Sequence, residues 1–241
     1  MTPQDVVELA PGLWSIGQKK GGCVHAFLCD DGNELTLIDT LYDTDGKRIL
    51  AVLDQLGKRP ADVRHIVITH GHRSHMGGLA ALADLTGATV YSHAWEADIV
   101  GGDRKAQPVS IIPKKPLRTY FPFQFCLAIG VGAHPPRKVD HTVAGGDRLG
   151  PLHVVDTPGH SPGHLAFWWP ERRALLAGDS IATWPSFLPG WPSFTLNERV
   201  HHASLRQLAE LEPELLGVGH GDPILSGART RVRDLVDEIE K

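Results

Sequence analysis

The sequence predicts an α/β protein in which two β-sheets pack face to face, with helices covering both outer sides. The chain has 241 residues, of which 41% are hydrophobic, enough to build one large core. Along each half, the spacing of apolar residues changes from that of strands to that of helices. Two packed sheets with helices outside them would bury the apolar face of every element. We expect one domain over residues 1–241, because no linker or low-complexity tract divides them.

The first half predicts strands joined by tight turns, followed by helices and strands in alternation. The Asp31-Gly32 pair between two apolar runs indicates a hairpin. Helical spacing then begins at Ile49, and Gly57 and Gly87 are suitable residues to end the first two helices. The predicted elements are Leu13–Ile16, Val24–Cys29, Glu34–Ile38, helix Ile49–Leu56, His65–Thr69, helix Leu79–Leu85, Thr89–Ser92 and helix Ala94–Val100.

The second half repeats this outline after a proline-rich stretch, residues 101–140, whose aromatics indicate either a packed surface excursion or a pocket wall. Asn197 is a good N-cap for a helix that continues to Leu211. An amphipathic helix closes the chain. The predicted elements are Leu152–Asp156, His164–Trp169, Ala174–Ala177, the helix after Asn197, Leu215–Val218 and a last helix carrying Val232, Leu235, Val236 and Ile239.

Composition excludes several classes of protein. The formal net charge is −4 and the basic residues are scattered, so we expect no nucleic-acid partner. The sequence has no apolar run of about 18 residues, so we expect no membrane span, and without a basic and then an apolar region at the N-terminus we expect no secretory signal. The three cysteines, Cys23, Cys29 and Cys126, show no close pairing, which favours inert thiols and a reducing, cytoplasmic location.

Histidine is the unusual residue, with fourteen in the chain. His70, His72 and His75 lie within six residues, directly after an apolar strand and before a helix. Imidazole is the commonest protein ligand for zinc and also suits iron. Three histidines in such a turn cannot all be accommodated by core packing, so they predict a metal site.

Three further groups share this setting. His160, Asp179 and His220 each follow an apolar strand and stand beside glycine, which lets the backbone approach an ion closely. Loops after strands are where layered α/β proteins carry function. Five histidines and one carboxylate predict a cage for one or two first-row metal ions.

The order of these residues resembles the metallo-β-lactamase superfamily, whose pattern is His-x-His-x-Asp-His, then His, then a bridging Asp, then a last His. The resemblance covers almost the whole chain, including the Asp39 strand end. It implies a four-layer αββα sandwich with its metals at one edge of the β-sandwich. It further implies a first metal ion held by His70, His72 and His160, a second held by His75 and His220, and Asp179 bridging both.

One position departs from that pattern, because Ser74 stands where the family has the Asp before the third histidine. A serine hydroxyl is a neutral and poorer ligand. We expect a weaker second metal site, function with one ion, and less help from a carboxylate in activating water. Losing a well-placed general base typically costs about 10²–10⁴ in rate.

The resemblance implies a metal-dependent hydrolase in which metal-bound hydroxide attacks an ester, lactone or thioester carbonyl of a small molecule. We expect Zn²⁺, as one or two ions, with iron or manganese as alternatives. Trp184, Phe187 and Trp191 predict either an apolar pocket wall beside the metals, or aromatics that pack under a helix or form an oligomer contact. A homodimer is a further expectation.

The sequence is also compatible with two other functions. His70, His160 and Asp179 could supply the two histidines and one carboxylate of a mononuclear iron oxygenase that resembles the persulfide dioxygenases. Alternatively, Ser74 favours a degenerate member that binds metal without catalysis. The identity of the bound metal distinguishes an iron oxygenase from a zinc hydrolase. A panel of hydrolysable substrates distinguishes an active hydrolase from a degenerate member.

Overall fold

The computed structural model describes residues 6–106, 132–191 and 193–241. Cys126 and most of the proline-rich stretch lie outside the described residues. Two sheets form the centre of the fold. The first contains β1 Val6–Ala10, β2 Leu13–Gln18, β3 Val24–Asp30, β4 Leu35–Ile38, β5 Val63–Ile68, β6 Thr89–Ser92 and β7 His141–Thr142. The second contains β8 Arg148–Leu149, β9 Leu152–Asp156, β10 Leu165–Trp169, β11 Ala174–Leu176 and β12 Leu215–Gly217.

Helices of the described residues flank these sheets. Apart from a short kinked segment at Lys20–Cys23, where Gly21 and Gly22 depart from helical backbone angles, the α-helices are α1 Lys47–Gln55, α2 Arg73–Met76, α3 Leu79–Thr86, α4 Ala97–Val100, α5 Glu198–Glu210 and α6 Ala228–Ile239. Asn197 caps α5 as expected, since its side chain accepts a hydrogen bond from the backbone N–H of Val200. None of these helices combines the length and the apolar character that crossing a membrane requires.

Both sheets mix strand directions. In the first, β1 to β4 run antiparallel to their neighbours, including the hairpin predicted at Asp31-Gly32, while β4 to β7 run parallel. In the second, β11 and β12 are parallel and the remaining pairs are antiparallel. Parallel neighbours end at the same edge of a sheet, so the loops that follow them collect there.

The alternation of side chains along the strands builds the layers. Val24 and Leu28 of β3 face a core cluster shared with α1 and α3, whereas Phe27 faces a second cluster between the sheets. In β10, Phe167 enters the cluster between the sheets while Ala166 joins a third, against α5 and α6. Three clusters separate four layers, so the predicted αββα sandwich is confirmed.

The sequence missed β1, β7 and β8. The first is an edge strand with only one partner, and each of the other two is two residues long, too short for a pattern of alternation to be visible. The short helix expected at Ala94–Val100 begins only at Ala97. The preceding residues form turns that bring Glu96 into the interior, where it is 1% exposed.

Candidate metal centre

The predicted ligands meet at one edge of the sandwich, where strands of both sheets end. His70 follows β5, His160 follows β9, Asp179 follows β11 and His220 follows β12. Backbone hydrogen bonds join the two sheets here, from Leu165 N to the carbonyl of Thr69 (3.0 Å) and from His25 N to the carbonyl of Gly219 (2.9 Å). The loops from two separate sheets are therefore fixed against each other.

Four side chains form the first group of candidate ligands. His72 Nδ1 lies 2.9 Å from His70 Nε2 and 3.1 Å from His160 Nε2. The Asp179 carboxylate lies 3.7 Å from His70 Nε2 and 3.5 Å from His160 Nε2. Imidazole nitrogens this close, with a carboxylate beside them, are the donor set of a zinc-type site.

The second group shares Asp179 with the first. His75 Nε2 lies 3.2 Å from one carboxylate oxygen of Asp179, and His220 Nε2 lies 3.3 Å from the other. Each group has its candidate ligand atoms within 4.8 Å of one another. His75 Nε2 and Asp179 Oδ1 are buried and face each other at 3.2 Å, but neither makes a well-aligned hydrogen bond. Buried polar atoms without partners are costly, and a shared cation would satisfy both, so the residues present fit the ion that the donor set implies.

Hydrogen bonds on the far side of the rings leave the inward nitrogens free to bind metal. His75 Nδ1 donates to Asp39 (2.8 Å) and His220 Nδ1 donates to the carbonyl of Gly22 (2.8 Å). The hydroxyl of Thr69 donates to Asp39, so it accepts the proton of His70 Nδ1 at 3.0 Å. Partners of this kind fix the tautomer and raise ligand basicity. Asp39 thereby orients ligands of both groups.

Burial and neighbouring charges shift the pKa values of histidines in the two groups in opposite directions. Burial lowers the pKa of His72 to about 4 and holds the pKa values of His70 and His160 well below their usual range. These rings are neutral at pH 7 and present lone pairs. Burial also lowers the pKa of His75, but the carboxylates of Asp179 and Asp39 outweigh it and raise that pKa to about 10. An ion entering the second group must therefore displace a proton.

His164 supports the bridging carboxylate from behind. Its Nε2 accepts the backbone N–H of Asp179 at 3.0 Å, and its Nδ1 donates to the hydroxyl of Thr157 at 2.7 Å. Burial lowers the pKa of His164 to about 3, which keeps the ring neutral and able to accept. The sequence analysis identified His164 only as the start of the predicted strand His164–Trp169 and assigned it no role in the site.

Gly219 leaves the space that Asp179 occupies. A Cβ at this position would collide with Asp179 Oδ1 and lie 2.9 Å from His75 Cε1. We expect Gly219→Ala to displace the carboxylate and lower metal occupancy at least about tenfold, the lower bound for disturbing a partner of a metal ligand. Elemental analysis after dialysis against trace metal measures it. In Gly101→Ala, the control, the added Cβ meets nothing closer than 3.2 Å, and equal occupancy in both variants would contradict the expectation.

Ser74 and the predicted aromatics occupy different surroundings. Ser74 is half-buried in α2, directly before His75. The ring of Trp191 stacks on His220 with centroids 4.2 Å apart, and Trp184 lies 5.4 Å from Trp191. Phe187 instead packs on the cluster of α5 and α6, with the guanidinium of Arg231 4.4 Å from its ring centroid.

Two residues near the centre were not among the sequence candidates. Phe194 lies 5.5 Å from Trp191 and 6.2 Å from His72, measured between ring centroids. It follows Trp184, Phe187 and Trp191 in the same aromatic segment, and that segment was the signal that could have found it. Glu96 contacts two ligand loops, but a lone glutamate inside the helix predicted at Ala94–Val100 is no signal for such a role.

Known proteins share the sequence family and the fold of this chain. Residues 21–220 match the family model described as "Metallo-beta-lactamase superfamily". The chain belongs to this superfamily. A "Probable metallo-hydrolase YflN" of Bacillus subtilis (strain 168) is 29% identical, with 90% of this chain and 86% of that protein covered. A hydroxyacylglutathione hydrolase of Rhodobacter capsulatus is 30% identical, with 74% of this chain but 56% of that protein covered.

A solved structure of the metallo-β-lactamase superfamily shows the same fold. It is the metallo-beta-lactamase family protein TTHA1429 from Thermus thermophilus, with a TM-score of 0.68 and 27% identity. The superposition covers 97% of this chain and 81% of that one. Together with the relatives, it supports a metal-dependent hydrolase family member with a metal-binding site of histidine and aspartate.

Proposed function

We propose that this protein hydrolyses an ester, lactone or thioester carbonyl of a small molecule, with a first metal site that binds more tightly than the second. The observation that carries the proposal is the meeting of five imidazoles and the carboxylate of Asp179 at one edge of the sandwich. A bound Zn²⁺ supplies Lewis-acid polarisation of the carbonyl oxygen and lowers the pKa of bound water to about 7. The similar hydroxyacylglutathione hydrolase and the probable metallo-hydrolase support the same class of chemistry.

Different residues would hold each of the two metal ions. His70, His72 and His160 would hold the first ion, since their rings are neutral and already face one another. His75, His220 and Asp179 would hold the second, and His75 would have to give up its Nε2 proton to act as a ligand there. Asp39 holds the orientation of both sets through His75 and Thr69.

The apolar part of the substrate is proposed to bind along an aromatic wall of Trp191, Phe194 and Trp184. The ring of Trp191 lies 5.4 Å from that of Trp184 and 5.5 Å from that of Phe194, measured between centroids. The wall reaches a ligand from each group, because Trp191 stacks on His220 and Phe194 lies beside His72. Flat apolar surfaces beside a polar centre are the usual composition of a small-molecule site. Phe187 contributes to packing of α6 in this proposal.

A substrate panel tests the proposal. Purified protein with Zn²⁺ is assayed on p-nitrophenyl esters, lactones, S-acyl thioesters and nitrocefin, with elemental analysis of protein purified without added metal. Turnover of one carbonyl class above free metal, with zinc bound, supports the hydrolase. Stoichiometric iron without turnover of any of these substrates would refute it in favour of an oxygenase.

Ser74→Asp is expected to strengthen the second site. A carboxylate one residue before His75 adds an anionic ligand to a group that otherwise has three. We expect binding of the second ion to improve at least about tenfold, and turnover to rise by about 10² as water activation gains a carboxylate. Titration with Zn²⁺ under chelator competition measures the first effect.

Ser74→Asn is the matched control, because asparagine has the size of aspartate without its charge. It is expected to behave as the unmodified protein. Equal second-ion affinity in the Asp and Asn variants would show that Ser74 does not face the second group.

A further inference from the structure

Glu96 is a buried carboxylate that the proposed hydrolysis does not use. It precedes α4 and is 1% exposed. Among the described residues, no cation lies within ion-pairing distance of its oxygens; the nearby Arg104 pairs with Asp98 and covers the ring of Trp95. Burying a carboxylate without a counter-ion is costly unless hydrogen bonds compensate it, so its position requires an explanation.

Three donors compensate Glu96, and they come from two metal-ligand loops. The backbone N–H of Gly71, between His70 and His72, donates to Oε2 at 3.0 Å. The hydroxyl of Ser161, beside His160, donates to Oε1 at 2.5 Å, and the N–H of Gly163 donates to the same oxygen at 3.1 Å. Each oxygen of the Glu96 carboxylate therefore accepts hydrogen bonds from one of the two loops.

Both loops also lie directly against this side chain. A Cβ at Gly71 would come within 3.0 Å of Glu96 Oε2, and a Cβ at Gly163 would come within 2.9 Å of Glu96 Cγ. The loops belong to different sheets, one following β5 and the other following β9. Only groups that bridge them can set the distance between the His70–His72 pair and His160.

We propose that Glu96 is a positioning residue that holds the two loops of the first metal group at ligand spacing. The inference rests on the proposed metal centre. The carboxylate of Glu96 makes no hydrogen bond or ion pair with the candidate ligand rings and takes no part in the proposed reaction. It acts as an outer partner of the centre, the kind whose loss typically weakens metal binding by about 10–100-fold.

Glu96→Gln tests this inference, because glutamine keeps the shape but can accept at only one end. One loop then faces an amide N–H₂ instead of an acceptor. Cobalt(II) titration under chelator competition measures affinity, and the d–d absorption spectrum reports ligand geometry. The first-group signal is identified by its loss in His72→Ala. We expect first-group affinity to fall about 10–100-fold, with an altered spectrum at saturation.

Two further variants make the result decisive. Ser161→Ala removes one donor and is expected to weaken first-group binding in the same direction by a smaller factor. Asp98→Asn is the control, because Asp98 is an exposed carboxylate in α4, the helix that Glu96 precedes. It is expected to leave affinity and spectrum unchanged.

The outcomes separate this inference from the proposed function. If the unmodified protein binds cobalt and folded Glu96→Gln binds it with the same affinity and spectrum, Glu96 is not a positioning residue. If Glu96→Gln does not fold, Ser161→Ala decides in the same way. If the unmodified protein binds no ion, the proposed metal centre itself is wrong.

Discussion

Replacing Asp179 with asparagine is expected to remove the second ion and to lower hydrolysis by on the order of 10³-fold. Its carboxylate lies within 3.2–3.7 Å of a ring nitrogen of His70, His75, His160 and His220. Asparagine has the same size but no charge, so it bridges two cations poorly. The several kcal/mol that a well-held metal contributes to the transition state correspond to about three decades in rate.

The measurement is kcat/KM on the best panel substrate, together with zinc content. Asp222→Asn is the matched control, since Asp222 is an exposed aspartate two residues after His220 and belongs to neither ligand group. It is expected to retain activity. Full zinc content and activity in Asp179→Asn would show that this carboxylate is not a ligand.

Chelation is expected to abolish turnover and to lower the melting temperature by roughly 5–10 °C. An ion that binds the folded state alone stabilises it by about 2.7 kcal/mol when its free concentration is 100 times its dissociation constant. For a chain of this size, each kcal/mol shifts Tm by about 2–4 °C. Differential scanning calorimetry with and without chelator measures the shift.

The controls for chelation use metal type and the Asp179→Asn variant. Zn²⁺ should restore both Tm and activity, whereas Mg²⁺ should not, because imidazole sites favour zinc over hard cations. The variant should show a smaller Tm shift, since it has lost one of its ions. An unchanged Tm and full activity after exhaustive chelation would contradict the metal-dependent reaction.

Much of the fold was readable locally. The apolar runs of β3 and β5 and the helical spacing in α1 and α6 depend only on residues close in sequence, and the structure confirms these elements. The same is true of the cap at Asn197. Elements with little local pattern were missed, such as the edge strand β1 and the two-residue strands β7 and β8, because pairing with a neighbour defines them.

The candidate site divides in a similar way. The histidines beside glycine were visible because several metal-binding residue types recur after apolar strands. The sequence analysis identified Asp39 only as the end of a strand. Its partners Thr69 and His75 lie 30 and 36 positions away in the sequence, so no local pattern could reveal these contacts. Glu96 gave no signal, since its donors lie 25 and 65–67 positions along the chain.

The sequence by itself determined which residues can bind a metal, in what order they occur, and that Ser74 interrupts the expected set. Only the tertiary structure decided which rings face each other, which ring nitrogens are left free for metal, and that Trp191 and Phe194 adjoin the centre while Phe187 packs on α6. The physical reason is that ligand choice is a property of single side chains. Ligand geometry depends on two sheets that meet at one edge, and on buried hydrogen bonds that span them.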